Sequence, residues 1–416
     1  MDLSTLTSVL SGIFGHPDFW RHASIPVVAG LVGWGTNWAA IQLTFYPVSF
    51  VGRRPYLGWQ GIIPSKAEKM AAIFVDSTMS RLGTLSELFQ QMQPAEVGDQ
   101  IVRVMTPRLP RYADEILRRE SPALWRSTPA LIKERVYESL RGQFPRVVHD
   151  LMDDIGSRVE ELIDFKHMIT QRLVEDRGLL NRLFIESGDR EFRFIIRSGL
   201  YFGFLFGLVQ LLVWIVHPGW WVLPVFGILV GYLTNWIALN VIFRPLHPTA
   251  VGPWTVHGLF LKRQREVARV WSRLVSREIV TVRALVHAMM NGPHADKSEA
   301  LIKRRMAPLV ADAIGPLRLA AELALGRESF AELAEQVGRK SVDLSTAPFD
   351  DWRFNRDRAR IVERLLRERM EDLPPAEFQD LLRPCFQEDE MKLILVGAVL
   401  GGIAGTAQWL LVFGGI

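Results

Sequence analysis

The sequence predicts an all-α polytopic membrane protein: four transmembrane helices from two parallel repeats, with large extended helical regions on the cytoplasmic side. Three observations carry this: four long apolar blocks, two charge-rich stretches between them, and a motif that recurs at constant spacing. The chain has 416 residues, 49% apolar and 23% charged, with a mean hydropathy of only +0.12. That value is too polar for spans alone and too apolar for an ordinary soluble enzyme. It is the average of segregated segments.

The apolar blocks cover residues 25–46, 194–216, 221–243 and 393–416. The first holds no charged residue, and its 22 residues would extend about 33 Å as a helix, enough to cross a bilayer. In the second, Arg197 lies near the start, where its guanidinium can reach the headgroups. Buried helices of a soluble protein are the alternative, but each block is too long and too charge-poor for a half-exposed core helix. Thirteen Trp and 23 Phe against six Tyr fit a protein with interfacial anchors. Residues 1–24 are read as an interfacial segment, with Leu3, Leu6, Leu10, Ile13 and Phe14 on one helical face; no positive run marks a cleavable signal.

Only His217-Pro218-Gly219-Trp220 separates the second and third blocks, so these form an antiparallel hairpin. The hydrophilic regions, 47–192 and 244–391, then share one side of the membrane. Near the spans that side carries twelve Lys and Arg, among them Arg53, Arg54, Lys66, Arg244, Lys262 and Arg263, whereas the other has only Arg21. The positive-inside rule assigns the hydrophilic regions to the cytoplasm and both termini to the outer side.

Thr36-Asn37-Trp38 and Thr234-Asn235-Trp236 stand 198 residues apart inside matching stretches that end in Phe45-Tyr46-Pro47 and Phe243-Arg244-Pro245. Gly199, Gly203, Gly207 and Gln210 match Gly397, Gly401, Gly405 and Gln408 at the same offset. Two separate segments at one offset argue for duplication of the whole chain. Repeat 1 covers residues 25–216 and repeat 2 residues 217–416. Each carries an even number of spans, so the repeats are parallel. The match continues through Val51-Gly52 and Val251-Gly252 to the segments 61–66 and 258–263, with Leu261 where the first half has Pro64.

The hydrophilic regions read as helical by their apolar period. Val148, Leu151, Ile155, Val159, Leu162, Ile169 and Leu173 place a helix over residues 146–175, about 45 Å long if unbroken. Further helices are expected near 298–313, 317–338 and 357–373. Strand-like patterns are confined to the Pro/Gly segments 47–64 and 245–260.

Within the spans, polar residues recur as Asn37/Asn235, Gln42/Asn240 and Gln210/Gln408. Amides in hydrocarbon should face other helices and hydrogen-bond there. The rows of Gly199, Gly203 and Gly207 and of Gly397, Gly401 and Gly405 offer small faces for close packing. The spans hold no acidic residue in their interiors, which argues against a proton- or cation-coupled carrier. Arg53, Arg54, Trp59 and Lys66, with Arg244, Trp254, Lys262 and Arg263, combine basic and interfacial residues suited to anionic lipid headgroups.

No constellation points to catalysis, a metal or a cofactor. His247 with His257, and His287 with His294, lack ligand spacing; Asp153-Asp154 and Asp350-Asp351 are adjacent pairs rather than dyads. One cysteine, Cys385, excludes an internal disulfide, and a net charge of +4 is too small to argue for nucleic acid.

The Thr-Asn-Trp-x-Ala-x-x-x-x-Phe-x-Pro stretch, with Val51-Gly52 and the Gly61–Lys66 segment downstream, resembles the bacterial membrane-protein family called domain of unknown function 445. So does Leu382-Arg383-Pro384-Cys385-Phe386-Gln387-Glu388-Asp389-Glu390, leading into the last span. The resemblance covers nearly the whole chain. It implies an inner-membrane protein whose spans bracket large helical regions, and no particular reaction. The combined expectation is a non-enzymatic scaffold or tether in the bacterial plasma (inner) membrane, self-assembling into a homo-oligomer and touching anionic lipids, with an oligomeric transporter or lipid-transfer protein as the alternative.

Overall fold

A computed structural model describes residues 19–53, 57–76, 80–120, 122–252, 254–313, 347–387 and 390–414. The described residues begin with α1 (Phe19–Phe45), a hairpin of β1 (Val51–Arg53) and β2 (Leu57–Trp59), and helices α2 (Ile62–Ser65) and α3 (Ala67–Phe74). Then come α4 (Leu85–Gln91), α5 (Pro94–Met105), α6 (Leu109–Glu120), α7 (Pro122–Ser127), α8 (Ala130–Leu162), α9 (Phe165–Glu175) and α10 (Arg177–Val216). Next are α11 (Val222–Phe243), a second hairpin of β3 (Thr249–Val251) and β4 (Trp254–Val256), α12 (Leu259–Lys262), α13 (Gln264–Leu274), α14 (Val282–Asn291) and α15 (Ala295–Ala313). The chain closes with α16 (Trp352–Glu371), α17 (Pro375–Gln387) and α18 (Glu390–Gln408), which a π turn extends to Phe413. The fold is all-α apart from the two short hairpins, which fall where the Pro/Gly segments were read as strand-like.

Among the described residues, three helices are long and apolar enough to cross a membrane: Arg177–Val216, Val222–Ile242 and Met391–Phe413. The expected first span is helical over 27 residues but is not among the three, because Gly30, Gly33, Gly35, Thr36, Asn37 and Gln42 lower its hydropathy. The described part of its helix begins at Phe19, so residues 19–24 are continuous with α1; the five apolar residues expected to line the interfacial segment 1–24 lie outside the described residues. The second span is the end of a 40-residue helix, begun by Asp176, whose carboxylate accepts from the Leu179 amide at 3.1 Å. Side-chain acceptors at this position satisfy free amides of a first turn.

The helix expected over 146–175 is broken at Ile163 and Asp164. Ile163 is extended (φ −125°, ψ 119°), and Asp164 Oδ1 accepts from the His167 amide at 2.8 Å, so a capping aspartate starts a new helix there. Those expected near 298–313 and 357–373 are observed as α15 and α16; the one near 317–338 lies outside the described residues.

The chain forms two compact units, and each half of the sequence contributes to both. The first unit comprises Met1–Thr78, Asp176–Val270 and Met370–Ile416. In it α1 packs along α10 and α11 along α18, while α10 with α11, α1 with α18 and α1 with α11 make further contacts. Exchanging α1 with α11 and α10 with α18 leaves this set of neighbours unchanged. At one end of the bundle Ile25, Trp214, Val222, Leu223 and Phe413 form an apolar cluster, with the Trp214 and Phe413 rings 4.7 Å apart.

The second unit comprises Met79–Glu175 and Trp271–Arg369. Helix α8 is its spine, with α4, α5, α6 and α15 packed on it. Polar ties between the halves fix this packing: Arg305 Nε donates to Asp154 Oδ2 at 2.6 Å, and Gln100 Nε2 to the Pro348 carbonyl at 3.1 Å. Matching caps recur here. Thr84 accepts from the Glu87 amide at 3.1 Å in a full capping box, and Thr281 accepts from the Ala284 amide at 3.0 Å.

Candidate lipid-facing site

The four long helices of the first unit carry their polarity inside out. Outward-facing side chains include Leu31, Trp34 and Trp38 on α1, Phe204, Leu205 and Leu212 on α10, Val225 and Leu229 on α11, and Val399 and Ile403 on α18, all exposed. Buried residues between the helices include Thr36, Asn37, Ser198, Gln210, Thr234, Asn235 and Gln408. In water such an exterior would carry a large unfavourable hydration free energy; against hydrocarbon it carries none.

Glycines set the closeness of the seams. A Cβ added at Gly33 or Gly199 would come within 3.0 Å of the backbone of the other, and one at Gly203 or Gly207 would meet Ala29 and Pro26. The second pair of helices repeats this: Gly231 meets Gly397, Gly401 meets Gly227, and Gly405 meets Leu223. Each seam is locked by one amide. Asn37 Nδ2 donates to the Ile195 carbonyl at 2.7 Å and Asn235 Nδ2 to the Leu393 carbonyl at 2.9 Å, each bond spanning 158 residues. Of the other intramembrane candidates, Asn240 turns back to its own helix at the Trp236 carbonyl, 2.8 Å away. Gln42 is half-buried. Gln210 and Gln408 are buried, and Gln408 Nε2 lacks a hydrogen-bond partner.

Each hairpin leaves its helix through a proline and is tied back to it. The Gly61 amide donates to the Pro47 carbonyl at 2.9 Å, and the Gly258 amide to Pro245 at 3.0 Å. Gln60 Nε2 and His257 Nε2 lie 2.7 and 3.2 Å from the carbonyls of Val48 and Leu246. Both X-Pro bonds, Tyr46-Pro47 and Arg244-Pro245, are cis. In the short helices that follow, Ile63 and Pro64 are buried in one half and Phe260 and Leu261 in the other. The Pro64-to-Leu261 change therefore keeps an apolar side chain in a buried place.

Among the basic candidates, Arg53, Arg244 and Lys262 are exposed and Lys66 is half-buried. Trp59 is 42% exposed. Arg54 lies outside the described residues, and Trp254 pairs with Val251 in the β3–β4 ladder. Arg263 departs from the expectation of a headgroup contact. Its Nη1 sits 2.6 and 2.7 Å from the two Glu191 oxygens, and its Nε 2.8 Å from Glu266 Oε2. Burial opposes the charge of Arg263, but its bonds to Glu266 and Glu191 outweigh it and raise the guanidinium pKa. The same contact holds the Glu266 carboxyl below its usual range. Glu191, only 3% exposed, thus joins α10 of the first half to the loop of the second.

Sequence reasoning did not single out Glu191. A signal existed: Asp389 stands 198 residues after Glu191, and Lys66 stands 197 before Arg263. Asp389 lies outside the described residues. Among the described residues no group of three His, Cys, Asp or Glu could hold a metal ion. Comparison of the chain with models of protein families, with curated proteins and with solved structures finds no match.

Proposed function

We propose that the chain is a non-enzymatic protein of the bacterial inner membrane, of the family it resembles, built by duplication of a two-span module. Four spans, α1, α11, α18 and the apolar part of α10, cross the bilayer. The hairpins contact anionic headgroups through Arg53, Trp59, Arg244 and Lys262, with Lys66 and Trp254 nearby, and the second unit extends into the cytoplasm as a self-assembling scaffold or tether. The observation that carries this reading is the inside-out bundle, whose apolar exterior covers α1 as well as the three more hydrophobic helices. Recurrence of the Asn37 bond at Asn235, of the glycine contacts and of the hairpin ties supports the duplication.

The headgroup part is tested on the full-length protein in nanodiscs containing equal phosphatidylglycerol and phosphatidylcholine. Native mass spectrometry after release should find phosphatidylglycerol enriched among retained lipids. Replacing Arg53, Arg244 and Lys262 by Gln should reduce that enrichment several-fold, since each basic residue near an anionic surface contributes about 1 kcal/mol. An unchanged ratio removes the headgroup contact from the reading.

A further inference from the structure

The second unit contains a cavity of about 200 Å³, bounded by α5, α6, α8, α14, α15 and the turn at Pro348-Phe349. Val148, Met152, Leu285 and Leu309, which line it, are almost wholly buried. No charged side chain contributes to the lining, and Tyr112 is the one hydroxyl there among the described residues. A close-packed helical domain normally leaves voids no larger than a water molecule, and an apolar cavity of about 150 Å³ stays dry and takes up hydrocarbon. Methionines are frequent in its wall: Met92, Met105, Met152, Met289 and Met306. Their unbranched thioethers adapt to a flexible apolar guest.

The wall is uneven in depth. On α6 the lining residues Leu109, Tyr112, Ala113 and Ile116 are half-buried, as are Ile101, Leu140, Leu151 and Val286 elsewhere in the wall, and α6 thus forms one part of the open side. Arg108 and Arg111 adjoin Leu109 and Tyr112 in sequence, and both are exposed. Asp114, the nearest acid on that helix, already accepts from Trp125 Nε1 at 2.9 Å, from Tyr137 Oη at 2.5 Å and from Arg118 at 3.4 Å. An apolar interior with two cations beside its mouth fits an amphiphile with one hydrocarbon tail and an anionic head.

We propose that this cavity binds a fatty acid, with the acyl chain among Val148, Met152 and Leu309 and the carboxylate at Arg108 and Arg111. Its volume suits one medium-length chain rather than a long chain or two chains, which favours a free medium-chain fatty acid over a diacyl phospholipid. This inference goes beyond the headgroup reading and stands without it, because none of the residues used belongs to the hairpins.

The test is photo-crosslinking of the full-length protein in phosphatidylcholine nanodiscs with a diazirine-bearing decanoate, mapping labelled peptides by mass spectrometry. Label is expected on α5, α8 and α15, competed by unlabelled decanoate. Across saturated acids the competing affinity should rise roughly fourfold per methylene until the cavity is filled. Met152→Trp, which fills the cavity, should abolish this label while leaving any label on the span helices unchanged. The double change Arg108→Gln and Arg111→Gln lies at exposed positions and should weaken competition by about tenfold. Labelling confined to the span helices, or cavity labelling that survives both variants, overturns the proposal. So does equal labelling by a diazirine phosphatidylcholine, which would make the guest a membrane lipid tail. The hairpin variants serve as a separate control, since their failure to change lipid enrichment leaves these outcomes intact.

Discussion

Gly33 and Gly35 lie two residues apart on α1, yet their surroundings differ completely. A Cβ on Gly33 would run into the backbone of Gly199, whereas one on Gly35 meets nothing within 4 Å. Where lipid tails are as apolar as the side chains, helices associate through close backbone contact rather than through burial of oil from water. Gly33→Leu should therefore destabilise the bundle by ~1–3 kcal/mol, the usual cost of overpacking, and Gly35→Leu should leave it nearly unchanged. Thermal unfolding of both variants in the same detergent checks this; equal melting temperatures would disprove close packing at the α1–α10 seam. Asn37 acts at the same scale. Its position inside an apolar block was readable in the sequence, but its acceptor on Ile195, 158 residues away, was not.

At the scale of elements, local chemistry decides where helices start and how they are tied. Asp164 and Asp176 each accept a backbone amide at a helix start, and the first of these divides the helix expected over 146–175 between α8 and α9. Period alone gave no break there, because both neighbouring helices keep apolar residues in phase across it. Between α8 and α15, Asp154 is bound by Arg305 at 2.6 Å, and this hydrogen bond holds its carboxyl below the usual aspartate value of 3.8. A carboxyl whose folded pKa is depressed contributes stability above its unfolded pKa and loses it as pH falls through the folded value. Asp154→Asn should therefore destabilise the protein most above pH 3.8, with the difference from wild type shrinking toward pH 2. Urea unfolding followed by circular dichroism across that range measures it, and a difference that grows toward low pH would contradict the assignment. Thr84 and Thr281 recur as caps far beyond the stretch where sequence similarity between the halves is visible, since a cap needs only a hydroxyl and a free amide.

For the whole molecule, the sidedness reading makes a direct prediction. Gly142 on α8 has open space around it, and Trp220, in the link between α10 and α11, is 66% exposed. In a Cys385→Ala background, Gly142→Cys should react with a membrane-impermeant maleimide only after spheroplasts are permeabilised, while Trp220→Cys should react in intact spheroplasts. The reverse pattern would invert the topology. The units also cut across the halves: each half of the sequence sends its long apolar helices to one unit and part of its charged helical insert to the other.

The sequence by itself determined the apolar blocks, the constant offset and the helical character of the inserts, because hydropathy and period are properties of neighbouring residues. Residue identity also sufficed to mark Asn37, Asn235 and the glycine rows as residues of the helix–helix seams. Tertiary structure alone decided that Arg263 is taken up by Glu191, that Asn240 bonds its own helix, and that Met152 and Leu309 border one cavity. Those outcomes depend on which distant segments meet, and ion pairs and cavities arise from the packing of helices that local pattern cannot align.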